Sequence, residues 1–157
     1  MAKEFSFADL NKEMSKHSTY GETLDKSTIS EIDHYIPTGN WHLNACLTGS
    51  LFGGYPNNRA VALAGPSGTG KTYLILNAIK QAQQQGYSIV FYDSENAVDK
   101  ALVEKFGIDP TKFRYEPCNT VQEFRTSVTA ITDVLVEQKA KGITLPKIMV
   151  VLDSAGN

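Results

Sequence analysis

The spacing of apolar residues divides the chain into a short, polar beginning and a longer region of alternating strand and helix patterns. Within residues 5–16, apolar residues recur at steps of three and four, which predicts one short amphipathic helix. These residues are Phe7, Leu10 and Met14. Residues 18–33 are polar, with Gly21 and scattered serine and threonine, so we expect a linker with little regular structure. A boundary between residues 30 and 36 is therefore predicted, which separates segment 1–35 from a domain of residues 36–157.

From Ile36 onward, segments with strand character alternate with segments of helical periodicity. The predicted strands are Arg59–Ala64, Ser88–Asp93, Lys112–Glu116 and Lys147–Asp153. The predicted helices are Lys71–Gln85, Val98–Phe106 and Thr120–Lys139. Thr120 and Glu123 form a capping-box pattern at the start of the last helix. Alternation of this kind is typical of an α/β domain whose mainly parallel sheet is flanked by helices.

Composition narrows the class of protein. With 157 residues, of which 41% are hydrophobic, the chain can bury a core, which argues against disorder and fibrous repeats. A net charge of −2 lowers the case for a nucleic-acid-binding domain, although local patches could still bind DNA. The apolar run Ile148–Leu152 is too short to cross a membrane, and residues 1–10 lack the apolar stretch of a secretory signal. We therefore expect a cytoplasmic protein that does not contact membranes.

The two cysteines point to the same compartment. Cys46 and Cys118 stand alone in the sequence, without a CxxC pair or clustered histidines. We interpret them as free, mostly buried thiols in a reducing cytosol. A single disulfide between them is the alternative.

One motif carries specific chemistry. The pattern GxxxxGK[ST] is matched in full by Gly65, Pro66, Ser67, Gly68, Thr69, Gly70, Lys71 and Thr72. It lies between a predicted strand and a predicted helix, where backbone N–H groups and the helix dipole bind phosphate. Lys71 is expected to reach the β- and γ-phosphates of ATP, and Thr72 to place its hydroxyl on Mg²⁺. The alternative is a glycine-rich turn that matches by chance.

Two carboxylates at strand ends extend this chemistry. Asp153 ends a continuous apolar strand, where a carboxylate can hold Mg²⁺ near the phosphates. Glu95 follows the strand that comes after the motif's helix, and it is our candidate for activating water, with Asp93 as a structural neighbour. Glu95 and Lys71 are therefore the predicted catalytic residues. The alternatives are that Asp153 only caps its strand and that Glu95 is an ordinary surface residue.

These motifs together resemble a known family. The stretches that carry the resemblance are Thr48–Arg59, which contains Gly53–Pro56, then Gly65–Thr72, Phe91–Asp99 and Leu152–Asn157. In this combination, over residues 36–157, the chain resembles the RecA-type recombinases, and among them the UvsX type found in T-even-like bacteriophages. Ser154 follows Asp153, whereas the AAA+ proteins, which share a similar phosphate loop, have glutamate there. The resemblance implies a RecA-like P-loop NTPase core preceded by a short helical segment.

The resemblance also implies roles for single residues. Glu95 corresponds to the carboxylate that activates water, and Asp153 to the carboxylate that takes magnesium by way of water. Ser154 corresponds to a residue that hydrogen-bonds near that site. Asp99 is expected near the adenine, and Leu102 stands where the family has an aromatic residue, so apolar contact would replace stacking on the base.

The function implied by the resemblance is ATP-dependent DNA strand exchange in recombination and repair, by filaments formed on single-stranded DNA. Mediator and single-strand-binding proteins are further partners that the resemblance suggests. We expect segment 1–35 to serve oligomerisation; a helix packed on its own core is the alternative. In such a protein the DNA-binding loops would follow Asn157, so we expect a core that is truncated after its last strand and weak or inactive as an ATPase.

Two other classes remain open at the level of sequence. Another RecA-fold ATPase, such as a hexameric helicase or a repair accessory protein, would share the phosphate loop and the sheet. A nucleotide-binding assembly module without turnover would share the binding residues but not the hydrolysis.

Overall fold

The computed structural model describes residues 5–18, 21, 23–25 and 31–154. By its internal contacts the chain divides into two compact units, residues 1–33 and 34–157, and each is described here by itself. Residues 19–20, 22 and 26–30 of the predicted linker, and residues 155–157 of the sequence motif that ends the chain, lie outside the described residues.

The first unit contains the predicted amphipathic helix. Helix α1 spans Phe7–Met14, and a reciprocal capping box between Ser6 and Asp9 fixes its beginning. The hydrogen bonds from Ser6 hold the pKa of the Asp9 carboxyl below its ordinary value. All three residues of the apolar face predicted from the sequence are exposed to solvent.

The second unit holds the alternating elements. Its strands are β1 (Tyr35–Ile36), β2 (Tyr55–Pro56), β3 (Tyr87–Asp93), β4 (Phe113–Pro117) and β5 (Lys147–Asp153). Its α-helices are α2 (Trp41–Thr48), α3 (Lys71–Gln84), α4 (Lys100–Lys105) and α5 (Val121–Ala140), with a 3-10 turn at Pro110–Lys112. The predicted helices and three of the four predicted strands are confirmed, with ends shifted by a few residues at most. None of the helices in the described part of the chain combines the length and apolar character that a membrane crossing requires.

The main sheet has three parallel strands in the order β4-β3-β5. Strand β3 is central, and six of its seven residues are buried, as expected of a strand covered on both faces. The registers place Asp93, at the end of β3, opposite Pro117 on one side and Asp153 on the other. All three strands therefore present their carboxyl ends at one edge of the sheet, as predicted.

Side chains alternate between two cores on opposite faces of this sheet. On one face Ile89, Phe91 and Val151 pack with Leu76 and Ile79 of α3. On the other face Val90 and Tyr92 are the buried centre of a smaller cluster. It is completed by Phe124, Val128 and Ile131 of α5, with Ile148 and Leu152 of β5. The arrangement is a three-layer α/β fold. Because successive side chains of a strand point to opposite faces of the sheet, alternate apolar residues pack against α3 and against α5.

The prediction of a strand over Arg59–Ala64 is wrong. The structure gives these residues no strand, and all except Leu63 are exposed. A strand exists only where a neighbouring strand completes its hydrogen bonds, and within the described residues β5 pairs with β3 alone. Segment 59–63 and β5 instead both line an open groove of about 710 Å³.

Helix α2 was not predicted, and it changes the interpretation of one cysteine. The Asn40 side chain accepts a hydrogen bond from the Leu43 amide to begin the helix, and Gly49, in the left-handed region, ends it. Cys46 lies on this helix and is exposed, which corrects the expectation that it is buried. Cys118 is buried as expected, and both thiols are free.

Gly54, directly before β2, lies too close to neighbouring backbone to accept a side chain. Gly54 has a φ of +148°, and a Cβ there would collide with the backbone oxygen of Ile36. Because backbone cannot give way as a flexible side chain can, we expect Gly54→Ala to lower the free energy of unfolding by about 2 kcal/mol or more. Urea denaturation followed by circular dichroism measures this loss.

Gly142→Ala is the matched control for that substitution. Gly142 also has a positive φ, +76°, but no atom lies within 4 Å of the added Cβ. Only the conformational penalty of about 1 kcal/mol is expected there. Equal losses at the two positions would contradict the collision.

Candidate functional site

The glycine-rich loop has the backbone conformation that its motif requires. Gly68 and Gly70 take φ values of +76° and +86°, and Gly70 is the residue from which α3 begins. Residues with a Cβ rarely adopt this region, whereas glycine does so freely. The first amides of a helix have no intrahelical partners, so the exposed loop and the start of α3 offer N–H groups to an anion.

The Lys71 ammonium group folds back onto this loop. Its Nζ donates to the carbonyl oxygens of Gly65 and Pro66, at 2.9 Å each. The Thr69 hydroxyl donates to the Pro66 oxygen as well, at 2.8 Å. The loop is thus held around a positive charge whose present partners are neutral carbonyls. A phosphate would be a stronger partner for that charge, because its negative charge adds a Coulombic attraction that a neutral carbonyl lacks.

The first turn of α3 meets the end of β5 through one hydrogen bond. Thr72 Oγ1 donates to Asp153 Oδ2 at 2.7 Å, and both residues are half-buried. A hydroxyl and a carboxylate oxygen side by side form part of the all-oxygen set that Mg²⁺ prefers. In the described residues, no group of three or more His, Cys, Asp or Glu side chains gathers to hold a metal. The donor set therefore fits a magnesium ion whose remaining ligands come from water and phosphate.

Glu95 lies at the same edge of the sheet. The Ser154 hydroxyl donates to Glu95 Oε1 at 2.9 Å, although the two residues are far apart in sequence. Glu95 itself is exposed to solvent. The structure therefore brings together the predicted water-activating residue and the residue that follows Asp153.

Asp93 is the buried anchor of the turn that carries Glu95. With 1% of its surface exposed, its carboxylate accepts hydrogen bonds from the amides of Glu95 and Val98, at 3.0 Å each, and from the Tyr115 hydroxyl at 3.2 Å. Burial, and then the neighbouring Asp93 charge, raise the pKa of Tyr115 above its ordinary value, so the hydroxyl stays protonated and donates. This agrees with a structural role for Asp93.

The two residues expected near adenine have local roles in the structure. Asp99 begins α4 by accepting a hydrogen bond from the Leu102 amide at 2.7 Å. The Leu102 side chain packs against the larger core. Asp99 also borders a cavity of about 400 Å³ with Phe113 and Tyr115 among its walls. Contacts of Asp99 and Leu102 with a nucleotide base stay predictions.

Sequence reasoning missed two residues of this neighbourhood, Tyr115 and Ser94. Tyr115 lies opposite Phe91 in the sheet register, and its contact with Asp93 crosses between strands. Ser94 contacts Ser154 across the ends of β3 and β5. The only signal in the sequence was the position of Ser94 directly after a strand, between two carboxylates.

Comparison with known proteins agrees with this geometry. A parallel α/β sheet, with a glycine-rich loop that begins a helix at the carboxyl ends of the strands, defines the class of P-loop nucleotide-binding domains. The family model described as RecA N-terminal domain matches residues 2–154. The chain belongs to this family, which confirms the predicted RecA-like fold.

The chain is also similar to curated RecA proteins. It is 32% identical to Protein RecA of Lactobacillus delbrueckii subsp. bulgaricus over 127 residues, which cover 78% of this chain and 38% of that protein. It is 35% identical to Protein RecA of Bartonella quintana over 124 residues, or 76% of this chain and 35% of that protein. Identity to Protein RecA of Bacteroides thetaiotaomicron reaches 42% over 74 residues, 47% of this chain and 22% of that one. The matched part of the chain therefore spans between 22% and 38% of the length of these relatives.

The contribution of the buried Asp93 carboxylate to the turn that carries Glu95 can be tested by substitution. Asp93→Asn places an amide N–H where an oxygen now accepts, so one of the facing donors loses its partner. Hydrogen bonds to a charged group contribute about 1.5–3 kcal/mol each, so we expect a loss of about 2–4 kcal/mol in the free energy of unfolding. Urea denaturation measures it.

Asp133→Asn, on the exposed surface of α5, is the control for this charge change. It should change the stability by no more than about 0.5 kcal/mol. If both variants lose the same amount, Asp93 does not hold the turn.

Proposed function

We propose that this chain is the ATP-binding portion of a recombinase that exchanges DNA strands in homologous recombination and repair. The observation that carries the proposal is the 2.7 Å contact between Thr72 and Asp153. It brings the end of the phosphate-loop motif to the end of the last strand, where a magnesium nucleotide needs both groups. Membership of the RecA N-terminal domain family supports the choice of a recombinase.

In the proposed site, each residue has a definite task. The backbone N–H groups of Gly65–Gly70 and the Lys71 ammonium group bind the phosphates of ATP. Thr72 and Asp153 hold Mg²⁺, Asp153 by way of water. When bound, the ion would neutralise negative charge on the phosphate oxygens. Glu95 accepts the proton of the attacking water at its carboxylate, and its contact with Ser154 orients that carboxylate.

The wider protein is proposed from the family and from the resemblance. The protein binds single-stranded DNA and assembles into filaments on it. Mediator and single-strand-binding proteins are its partners. The end of the chain, D-S-A-G-N, favours the UvsX type of phage recombinase, which would act in the cytoplasm of the host cell.

Segment 1–35 is proposed to take part in self-association. Phe7, Leu10 and Met14 form one face of α1, and between 41% and 72% of their surfaces is exposed. Exposed apolar residues grouped on one helix face are typical of surfaces that bind another protein.

A second candidate, nucleotide binding without efficient turnover, concerns the isolated chain. The segment before the phosphate loop, residues 59–64, lies outside the sheet, so the loop is positioned by α3 and by Thr72 and Asp153 but not by a preceding strand. Catalysis depends on placing reacting groups within fractions of an ångström. We therefore propose that the chain alone binds ATP and hydrolyses it weakly.

The phosphate-binding assignment predicts the effect of Lys71→Ala. Titration with a fluorescent ATP analogue, mant-ATP, in the presence of Mg²⁺ measures the dissociation constant. Loss of a charge-assisted hydrogen bond worth about 1.5–3 kcal/mol should weaken binding about 10- to 100-fold.

Lys141→Ala serves as the control, because Lys141 pairs with Glu137 at the exposed end of α5. Its affinity for mant-ATP should equal that of the unmodified chain. Equal affinity of the Lys71 variant and the unmodified chain would refute the proposed phosphate site.

A further inference from the structure

The ladder between β3 and β5 continues past its last paired residues through a serine side chain. The final register pair is Asp93 with Asp153. One residue later, Ser94 Oγ accepts a hydrogen bond from the Ser154 amide at 3.0 Å and donates one to the Ser154 carbonyl at 3.1 Å. The Ser94 amide in turn donates to the Asp153 carbonyl at 2.9 Å. A single residue thus holds the backbone of Asp153 and Ser154 through three hydrogen bonds.

The two residues that Ser94 fixes in this way make two of the polar contacts of the candidate site. Asp153 accepts the hydrogen bond from Thr72, and Ser154 donates to Glu95. Strand β5 lies at the edge of the sheet, with β3 as its only ladder partner in the described part of the chain. The end of β5 therefore depends on its contacts with β3 and with the residues that follow β3.

We propose that Ser94 is a positioning residue for the magnesium nucleotide. Its hydroxyl holds the backbone at Ser154, so that the Asp153 carboxylate stays beside the Thr72 hydroxyl and the Ser154 hydroxyl stays on Glu95. The inference rests on the proposed function, since it assumes that Thr72 and Asp153 hold Mg²⁺. Sites of this kind need their ligands held within about 0.5 Å by a supporting set of hydrogen bonds.

A purely structural serine would behave differently. If the hydroxyl only secured the end of β5, its removal would lower stability and leave the magnesium requirement of nucleotide binding unchanged. If it positions Asp153, removal changes the contribution of magnesium to nucleotide affinity, whereas affinity measured in a chelator stays as it was. The two roles are therefore separated by the dependence of affinity on magnesium.

The test uses the 157-residue chain and mant-ATP titrations at a series of Mg²⁺ concentrations, with one series in EDTA. For Ser94→Ala we expect about a 5-fold increase in the Mg²⁺ concentration that gives half of the affinity gain, from the loss of two hydrogen bonds. Its affinity in EDTA should match that of the unmodified chain. Ser94→Thr, which keeps a hydroxyl, should lie within about 2-fold of the unmodified chain.

Ser127→Ala is the matched control. Ser127 lies on α5, and its hydroxyl bonds to the Tyr92 hydroxyl at 2.8 Å, so its removal also takes away a serine hydroxyl contact but not one at the site. It should leave the magnesium dependence unchanged. A second pair, Ser94→Thr and Ser94→Val, compares side chains of the same shape with and without the hydroxyl, and it decides the question if Ser94→Ala does not fold.

The outcomes distinguish the inference from the function on which it rests. Suppose that Mg²⁺ raises the affinity of the unmodified chain for mant-ATP, and that the Ser94 variants without a hydroxyl need the same Mg²⁺ concentration for half of that gain. The positioning role is then overturned, and the proposed function stands. If the unmodified chain binds mant-ATP no better with Mg²⁺ than in EDTA, both are overturned. The inference is supported if the Mg²⁺ concentration that gives half of the affinity gain rises only in the variants that lack the hydroxyl.

Discussion

The in-register, parallel pairing of β3 with β5 is the constraint on which the site depends. Seven consecutive pairs, from Tyr87 with Lys147 to Asp93 with Asp153, fix the two strands along their length. A shift by one residue would turn the apolar side chains of β5 to the wrong faces and move Asp153 by about 3.3 Å. Two cores, one under α3 and one under α5, oppose any such shift. The position of the carboxylate is thus a consequence of how the sheet packs.

With the strand ends fixed, the remaining groups of the site follow from local structure. Gly70 begins α3, and the first turn of this helix delivers Thr72 to Asp153. Asp93, buried below the edge of the sheet, ties down the turn that carries Glu95. The phosphate-loop motif, Glu95 and Asp153 come from three separate stretches of the chain, and the parallel topology brings those stretches to one edge of the sheet.

Most of this arrangement could be predicted from local patterns, and its exceptions have physical reasons. Asp153 and Glu95 were identifiable because each lies at, or just after, the carboxyl end of an apolar strand, and parallel strands align their carboxyl ends. The apolar pattern of residues 59–64 indicates that they can form a strand, but it carries no information about a partner, and β5 does not pair with them. Helix α2 escaped prediction because its one buried residue is polar: Asn44 bonds with Thr38 and with the Leu51 carbonyl instead of joining an apolar face.

Contacts between residues far apart in sequence were also beyond prediction. The Ser94 hydroxyl contacts Ser154 only because the register places the ends of β3 and β5 side by side. Tyr115 reaches Asp93 from the neighbouring strand for the same reason. A single sequence shows the elements and their end residues, whereas such contacts depend on the register between strands.

The central claim is that one edge of this sheet binds a magnesium nucleotide through the phosphate loop and the ends of β3 and β5. Hydrogen exchange measured by mass spectrometry, with and without Mg·ATP, tests it directly. Binding should slow exchange in peptides that cover residues 65–72 and the residues at and just after Asp93 and Asp153, and leave the exposed C-terminal turns of α5 unchanged. Unaltered exchange in the phosphate loop at saturating Mg·ATP would contradict the account.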